Sequence, residues 1–266
     1  MTSPLDVFQG DVLAGHVALV TGGGTGICRG IAAAYARFGA DVCIVSRKQD
    51  VLDASAAELS AATGRNVMAV AADVRNPDAV AAAIAKTIER FGKLDTLVNG
   101  AAGNFLAPAA GLSPNGFKTV IEIDLVGTFN ASRAAFEALR TSGNGLVLNI
   151  SATLHYHGTP LQIHAAAAKA GVDAMTRNLA VEWGPFGIRS CAIAPGPIGD
   201  TEGMRRLAPG ELGAKAIASV PLRRFGFIDE IAAAAVYLRS AAAAYVNGHV
   251  LVVDGGHCIA TPPLGQ

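Results

Sequence analysis

Apolar residues in this chain fall in short unbroken runs separated by longer stretches of mixed polarity. The runs are HVALVTG (16–22), DVCIVS (41–46), NVMAVAADV (66–74), LDTLVN (94–99), LVLNIS (146–151), IRSCAIAPG (188–196) and GHVLVVDGG (248–256). Each except the last leads into a helix-length amphipathic segment, the first three starting at about 26, about 50 and Pro77. A strand that is apolar without alternation is covered on both faces, which is the signature of a parallel sheet between helical layers. The pattern predicts an α/β protein with a doubly wound, seven-stranded parallel sheet of the Rossmann type, folded as a single domain over 1–266. The segment from Pro197 to about 221 breaks the rhythm. It is glycine-rich, follows the carboxyl end of a strand, and is expected to be a lid over a ligand. Alanine clusters at 165–168, 232–235 and 241–244 read as closely packed helix faces, with subunit contacts a further use.

Composition narrows the partners. The chain has 266 residues, 51% hydrophobic and 16% charged, enough to bury a full core. Its 21 basic and 21 acidic residues cancel, so no summed charge favours a nucleic acid or an anionic membrane, and neither is expected as a partner. Cys28, Cys43, Cys191 and Cys258 are widely spaced, lack metal-ligand spacing and are expected to be reduced thiols. His155, His157 and His164 have no accompanying cysteine or second acid, so no metal site is expected. Neither a signal peptide nor a run of about 18 apolar residues is read from the chain. The expected compartment is the cytoplasm, or the peroxisome in a eukaryote.

Candidate chemistry starts at TGGGTGICRG (21–30), between the first strand and the first helix. Glycines there let the backbone approach a pyrophosphate, and the free N–H groups of the helix start hold its charge. Gly22, Gly24, Thr25, Gly26 and Ile27 are the expected contacts of a dinucleotide; Cys28 stands where the pattern has a third glycine. At the end of the second strand, where an acid would accept the ribose 2′-hydroxyl of NAD, the chain has Ser46, Arg47 and Lys48. Two cations attract a 2′-phosphate, so NADPH is the expected cofactor, although Arg47 and Lys48 also read as a solvated pair opening a helix. Asp73 is placed to accept a hydrogen bond from adenine, and Asn99 to lie beside the cofactor ribose.

Over residues 14 to 258 the chain resembles the short-chain dehydrogenase/reductase family, through TGGGTGI, the DV at Asp73 and Val74, VNGAAG (98–103), the helix with Lys169, and PGPI (195–198). The resemblance implies that Val74, Pro195, Gly196 and Ile198 also line the cofactor site. It also exposes a departure. The family handles protons with Asn, Ser, Tyr and Lys; at the corresponding positions this chain has Asp124, Ala152, Ala165 and Lys169. An alkoxide left by ketone reduction needs a strong local acid, and alanine supplies none. A carbon–carbon double bond conjugated to a thioester leaves a delocalised dienolate, which needs oxyanion donors first and a proton later.

Within the family the chain is most similar to the 2,4-dienoyl-CoA reductases of the peroxisomal type, through AAGNFLAP (101–108), LSPNGFKT (112–119), IDLVGTFN (123–130), ISATL (150–154), LQIHAAAAKAGVDAMTRNLAVEWGP (161–185) and APGPIGDTEGMRRL (194–207). The resemblance implies NADPH-dependent reduction of a 2,4-dienoyl-CoA to a 3-enoyl-CoA in unsaturated fatty-acid breakdown. Asp124 would hold the proton-donating water and Lys169 would orient the nicotinamide ribose. Asn104, Phe105, Phe117 and His164 are expected to line the acyl pocket, and Arg205 and Arg206, with Arg223 and Arg224 beyond, to meet the phosphates of the acyl-CoA. A homotetramer is expected by analogy. Three alternatives stay open: Asp124 and Lys169 as a plain buried ion pair, a reductase of a 2-enoyl or 3-oxoacyl thioester with Tyr156 recruited as acid, and a non-catalytic dinucleotide-binding module.

Overall fold

The computed structural model describes residues 3–201 and 211–260. Its seven strands are β1 (Val17–Thr21), β2 (Asp41–Ser46), β3 (Val67–Ala71), β4 (Thr96–Asn99), β5 (Gly145–Ile150), β6 (Ile188–Pro195) and β7 (Val250–Val253). They form one parallel sheet in the order β3-β2-β1-β4-β5-β6-β7. The order reverses between β1 and β4, opening a crevice at the carboxyl ends of the strands where ligands of such sheets bind. Every residue of β1, β4 and β5 is buried, as the unbroken apolar runs require.

Eight helices flank the sheet among the described residues: α1 (Gly26–Arg37), α2 (Gln49–Thr63), α3 (Pro77–Phe91), α4 (Pro114–Ile121), α5 (Gly127–Thr141), α6 (Ile163–Trp183), α7 (Glu211–Ser219) and α8 (Ile228–Arg239). Strand residues alternate between two cores. Ala18, Val20, Ile44, Val98 and Leu148 pack under Ile31 and Tyr35 of α1 and Ile231 and Val236 of α8. Leu19, Val45, Leu97 and Val147 pack under Val80 and Ile84 of α3 and Ala135 and Leu139 of α5. The alanine cluster at 232–235 serves the first core, Ala232 and Ala235 being fully buried. Helix starts follow local chemistry: Asn76 accepts from the Asp78 and Ala79 N–H groups ahead of Pro77, and Ser113 accepts from Gly116 N–H ahead of Pro114.

Three details depart from the sequence reading. β3 ends at Ala71 rather than at 74, because its partner β2 ends at Ser46, in register with Ala71. Within the irregular segment from 197 to 221, residues Glu211–Ser219 form α7, as good helix formers in ELGAKAIAS favour. Between α4 and α5 lies a single π-helical turn, Glu122–Val126, which no local sequence pattern announces. Such turns carry one extra residue per turn and cluster at functional sites. Arg205 and Arg206 lie outside the described residues. No helix among the described residues is long and apolar enough to cross a membrane.

Candidate active site

The first strand-to-helix junction has the open, glycine-lined geometry that a phosphate requires. Gly22 has φ +71°, and a side chain there would press its Cβ to 2.8 Å from the Gly100 carbonyl oxygen. Thr25, the exposed residue before α1, makes no capping bond, so the first N–H groups of the helix keep their donors for a ligand. The cradle therefore fits a pyrophosphate. Behind it, the Cys28 sulfur occupies the space that a side chain at position 100 would need. Burial pushes the Cys28 thiol up to about 12, so it packs as an inert apolar group. All four cysteines are free thiols.

Beside the cradle, Arg47 and Lys48 are exposed, and their side chains make no hydrogen bond or ion pair among the described residues. Asp73 is held by the Arg75 guanidinium, whose Nε lies 3.0 and 3.1 Å from its two carboxylate oxygens. That fork, with a smaller contribution from Arg47, keeps the Asp73 carboxyl below the usual range. Val74 next to it is buried. The Asn99 side chain is committed inward: its amide donates to Ser132 Oγ at 3.0 Å and Asn149 Oδ1 at 2.9 Å. The adjoining Gly100 and Ala101 N–H groups are anchored on Thr21 Oγ1. At the end of β6, Pro195 pairs with Val253, Gly196 N–H donates to the Val253 carbonyl, and buried Ile198 bridges to Gly226.

Across the crevice, Lys169 of α6 donates from Nζ to the Ile150 carbonyl at 2.8 Å and stands 3.5 Å from Asp124 Oδ2. Asp124, 1% exposed, sits at the centre of the π-helical turn. Its Oδ1 accepts the Gly103 N–H at 2.7 Å. Burial raises the Asp124 carboxyl above its usual range, while Lys169, the Gly103 N–H and the nearby His164 pull it back. Ala165 and Ala152 leave this pair without the neighbouring phenol and hydroxyl. Two other polar groups close by are buried and unpartnered: both ring nitrogens of His164, which is 0% exposed, and Ser151 Oγ. Buried polar groups without protein partners are uncommon in folded proteins.

The expected acyl wall is partly assembled. The Phe105 ring lies 4.4 Å from that of His164 and packs against α4 at Gly116, one residue before Phe117. Phe105 and Phe117 are partly exposed, and Asn104 donates to Gln162 Oε1 at 2.6 Å. Tyr156 points elsewhere. Its hydroxyl donates to Asp173 Oδ2 at 3.1 Å, the oxygen that also meets His155 Nε2 at 2.9 Å. Burial and the Asp173 charge push the Tyr156 phenol up to about 12. Arg224 forks onto Glu230 at 2.8 and 2.6 Å, and Arg223 donates to the Ala218 carbonyl. Both are thus engaged within the protein. Sequence reasoning missed Gly103 and Asp173; Gly103 was within reach, as the last residue of VNGAAG.

Known proteins resemble this chain along most of its length. Residues 22–257 match the family model described as enoyl-(acyl carrier protein) reductase. A peroxisomal 2,4-dienoyl-CoA reductase of Danio rerio, named as (3E)-enoyl-CoA-producing, is 49% identical over 94% of this chain and 84% of its own length. A probable 2,4-dienoyl-CoA reductase of Bacillus subtilis, named as (2E)-enoyl-CoA-producing, is 43% identical over 90% of this chain and 94% of its own. A short-chain dehydrogenase from Bacillus anthracis superposes with a TM-score of 0.83 at 43% identity, covering 94% of this chain and 99% of its own. With the sheet order, the glycine cradle and the Lys169 helix all in place, the chain belongs to the short-chain dehydrogenase/reductase family of oxidoreductases.

Proposed function

We propose that the protein is a 2,4-dienoyl-CoA reductase that uses NADPH and releases a 3-enoyl-CoA. The carrying observation is the buried Lys169–Asp124 pair beside Ala165 and Ala152, a site equipped with charge yet lacking a phenol. Identity to relatives named for this reaction supports it, the 49% relative being named for the 3-enoyl product. A nicotinamide dinucleotide is the cofactor class of the family. In this reading Gly22, Gly24, Thr25, Gly26 and Ile27 hold its pyrophosphate, Asp73 and Val74 flank the adenine, and Pro195, Gly196 and Ile198 border the nicotinamide. Asn99 acts from beneath by fixing the backbone of the strand end. When bound, the reduced nicotinamide supplies hydride for the δ-carbon of the diene.

The protein then has to stabilise negative charge spread from the γ-carbon to the thioester oxygen. Lys169 keeps an ammonium beside the site, and the unpartnered His164 ring offers a donor to the thioester oxygen. Asp124 holds a water whose proton goes to the α-carbon, and that position of protonation leaves the remaining double bond between carbons three and four. Asn104, Phe105 and Phe117 line the acyl channel. The assembly is a homotetramer.

The deciding assay follows nicotinamide absorbance with NADPH and a 2,4-dienoyl-CoA, then with a 3-oxoacyl-CoA. Turnover is expected on the first alone, with deuterium at the α-carbon of the product in heavy water. Tyr156→Phe should change the rate by less than roughly threefold, since that hydroxyl serves Asp173. Turnover of the 3-oxo compound only, lost in Tyr156→Phe, would make this a carbonyl reductase instead. Cofactor choice has its own test. Arg47→Asp is expected to weaken NADPH roughly 10- to 100-fold, the loss of a charge-assisted contact plus a new repulsion, and to leave NADH nearly unchanged. Equal loss for both, measured by nicotinamide fluorescence, would remove Arg47 from the 2′-phosphate site.

A further inference from the structure

A second set of unpartnered polar groups lies far from the crevice, at the amino-terminal edge of the sheet. Arg239, the last residue of α8, is 2% exposed, yet Nε, Nη1 and Nη2 all lack a hydrogen-bond partner. The strand row beneath it runs Ala18, Thr96, Leu146 and Arg189, neighbours in register across β1, β4, β5 and β6. Ala18 and Leu146 face α1 and α8, so Thr96 and Arg189 share that face. Thr96 is fully buried and its Oγ1 is unpartnered. Arg189 spends Nη1 on the Val246 carbonyl and Nη2 on the Leu238 carbonyl, which leaves its buried Nε without an acceptor. His16 Nδ1, just before β1, is likewise unpartnered.

Charge at this edge does not balance. Asp95 is the carboxylate that Arg239 senses, but it forms no ion pair with Arg239, and its Oδ2 accepts Val17 N–H at 2.8 Å and Lys93 Nζ at 3.0 Å. The Tyr35 hydroxyl, also close, donates to the Ala235 carbonyl and accepts nothing from Arg239. Arg189 adds a second positive charge near the first, and burial together with these cations pushes both the Arg239 guanidinium and the His16 ring below their ordinary values. A guanidinium enclosed without any acceptor is a state that marginally stable proteins do not tolerate. Water could accept hydrogen bonds here, but only an anion also neutralises the surplus charge. We infer that a monovalent anion of halide size binds at this edge, gripped by Arg239 and Arg189 Nε with Thr96 Oγ1 as a further donor.

The test uses the intact protein dialysed into gluconate and then titrated with chloride or bromide at constant ionic strength. Thermal unfolding is expected to move up by roughly 3 °C or more and to saturate, as ligand linkage requires. Arg239→Met, which keeps the length and apolar character of the side chain, should abolish that increment while dienoyl-CoA turnover stays unchanged. Equal melting in gluconate and halide, or an undiminished halide increment in Arg239→Met, would overturn the site and leave buried water as the occupant. Should Arg239→Met fail to fold, bromide-soaked crystals of the unaltered protein decide. An anomalous peak within hydrogen-bonding distance of the Arg239 guanidinium supports the inference, and peaks elsewhere only, or none, refute it.

Discussion

Lys169→Met is expected to slow reduction of a 2,4-dienoyl-CoA by roughly 100- to 1,000-fold, the usual penalty for losing one preorganised charge at a developing oxyanion. The magnitude follows from position. Lys169 is held between the Ile150 carbonyl and Asp124, deep in the crevice, where little water screens it. Methionine matches the stem in length and removes the charge. The fold should survive, because burial already raises the Asp124 carboxyl and a proton can replace the lost ammonium as its partner. Single-turnover rates, nicotinamide-cofactor affinity and thermal melting together give the result. A rate within threefold of the unaltered protein, with cofactor bound normally, would reduce the pair to a structural ion pair.

Asp124→Asn carries the second large effect, roughly 100- to 10,000-fold in kcat, the range of positioned acid–base groups. The amide keeps the shape and its oxygen can still accept the Gly103 N–H, so a purely structural role predicts almost no change. The pH profile separates the roles further. A carboxylate that must be ionised to orient water gives a rate that falls as pH drops through its raised value, and the asparagine variant should lack that limb. Stability has the opposite sign. Because the folded-state value lies above the unfolded one, the contribution of this group is present at pH below the unfolded value and is lost as pH rises through the folded one. Near neutrality Asp124→Asn should therefore melt no earlier than the parent. An active variant with the acid limb intact would assign the proton to another group.

Much of the architecture could be read from the chain because its signals are local and redundant. Unbroken apolar runs located all seven strands, and the glycine cradle announced the ligand end of the first one. The family resemblance pointed to Asp124 as well, although only folding brings residues 45 positions apart to 3.5 Å. What escaped was settled by distant partners. Nothing near Tyr156 reveals that its hydroxyl belongs to Asp173, 17 residues on in α6, and nothing near Asn99 reveals the inward chain of amides and hydroxyls through Ser132 and Asn149. The π-helical turn escaped because it lies inside a continuous helical run, with no glycine or proline at 122–126 to mark it. The arginines at 223 and 224 looked available for phosphate only because their acceptors, the Ala218 carbonyl and Glu230, are fixed by turns that periodicity does not describe.

The interlock of Cys28 with Gly100 constrains how this protein can change its sequence. Restoring a glycine at 28 alone opens a void the size of a thiol, a loss of about 1 kcal/mol by the scaling of cavity volume. Adding a side chain at 100 alone drives it into sulfur and forces backbone shifts, at about 1–3 kcal/mol or more. The two exchanges are therefore epistatic, and evolution between this pair and its alternative has a preferred order. The sulfur leaves first, the new side chain arrives second, and lineages sampled between the two events should carry glycine at both positions.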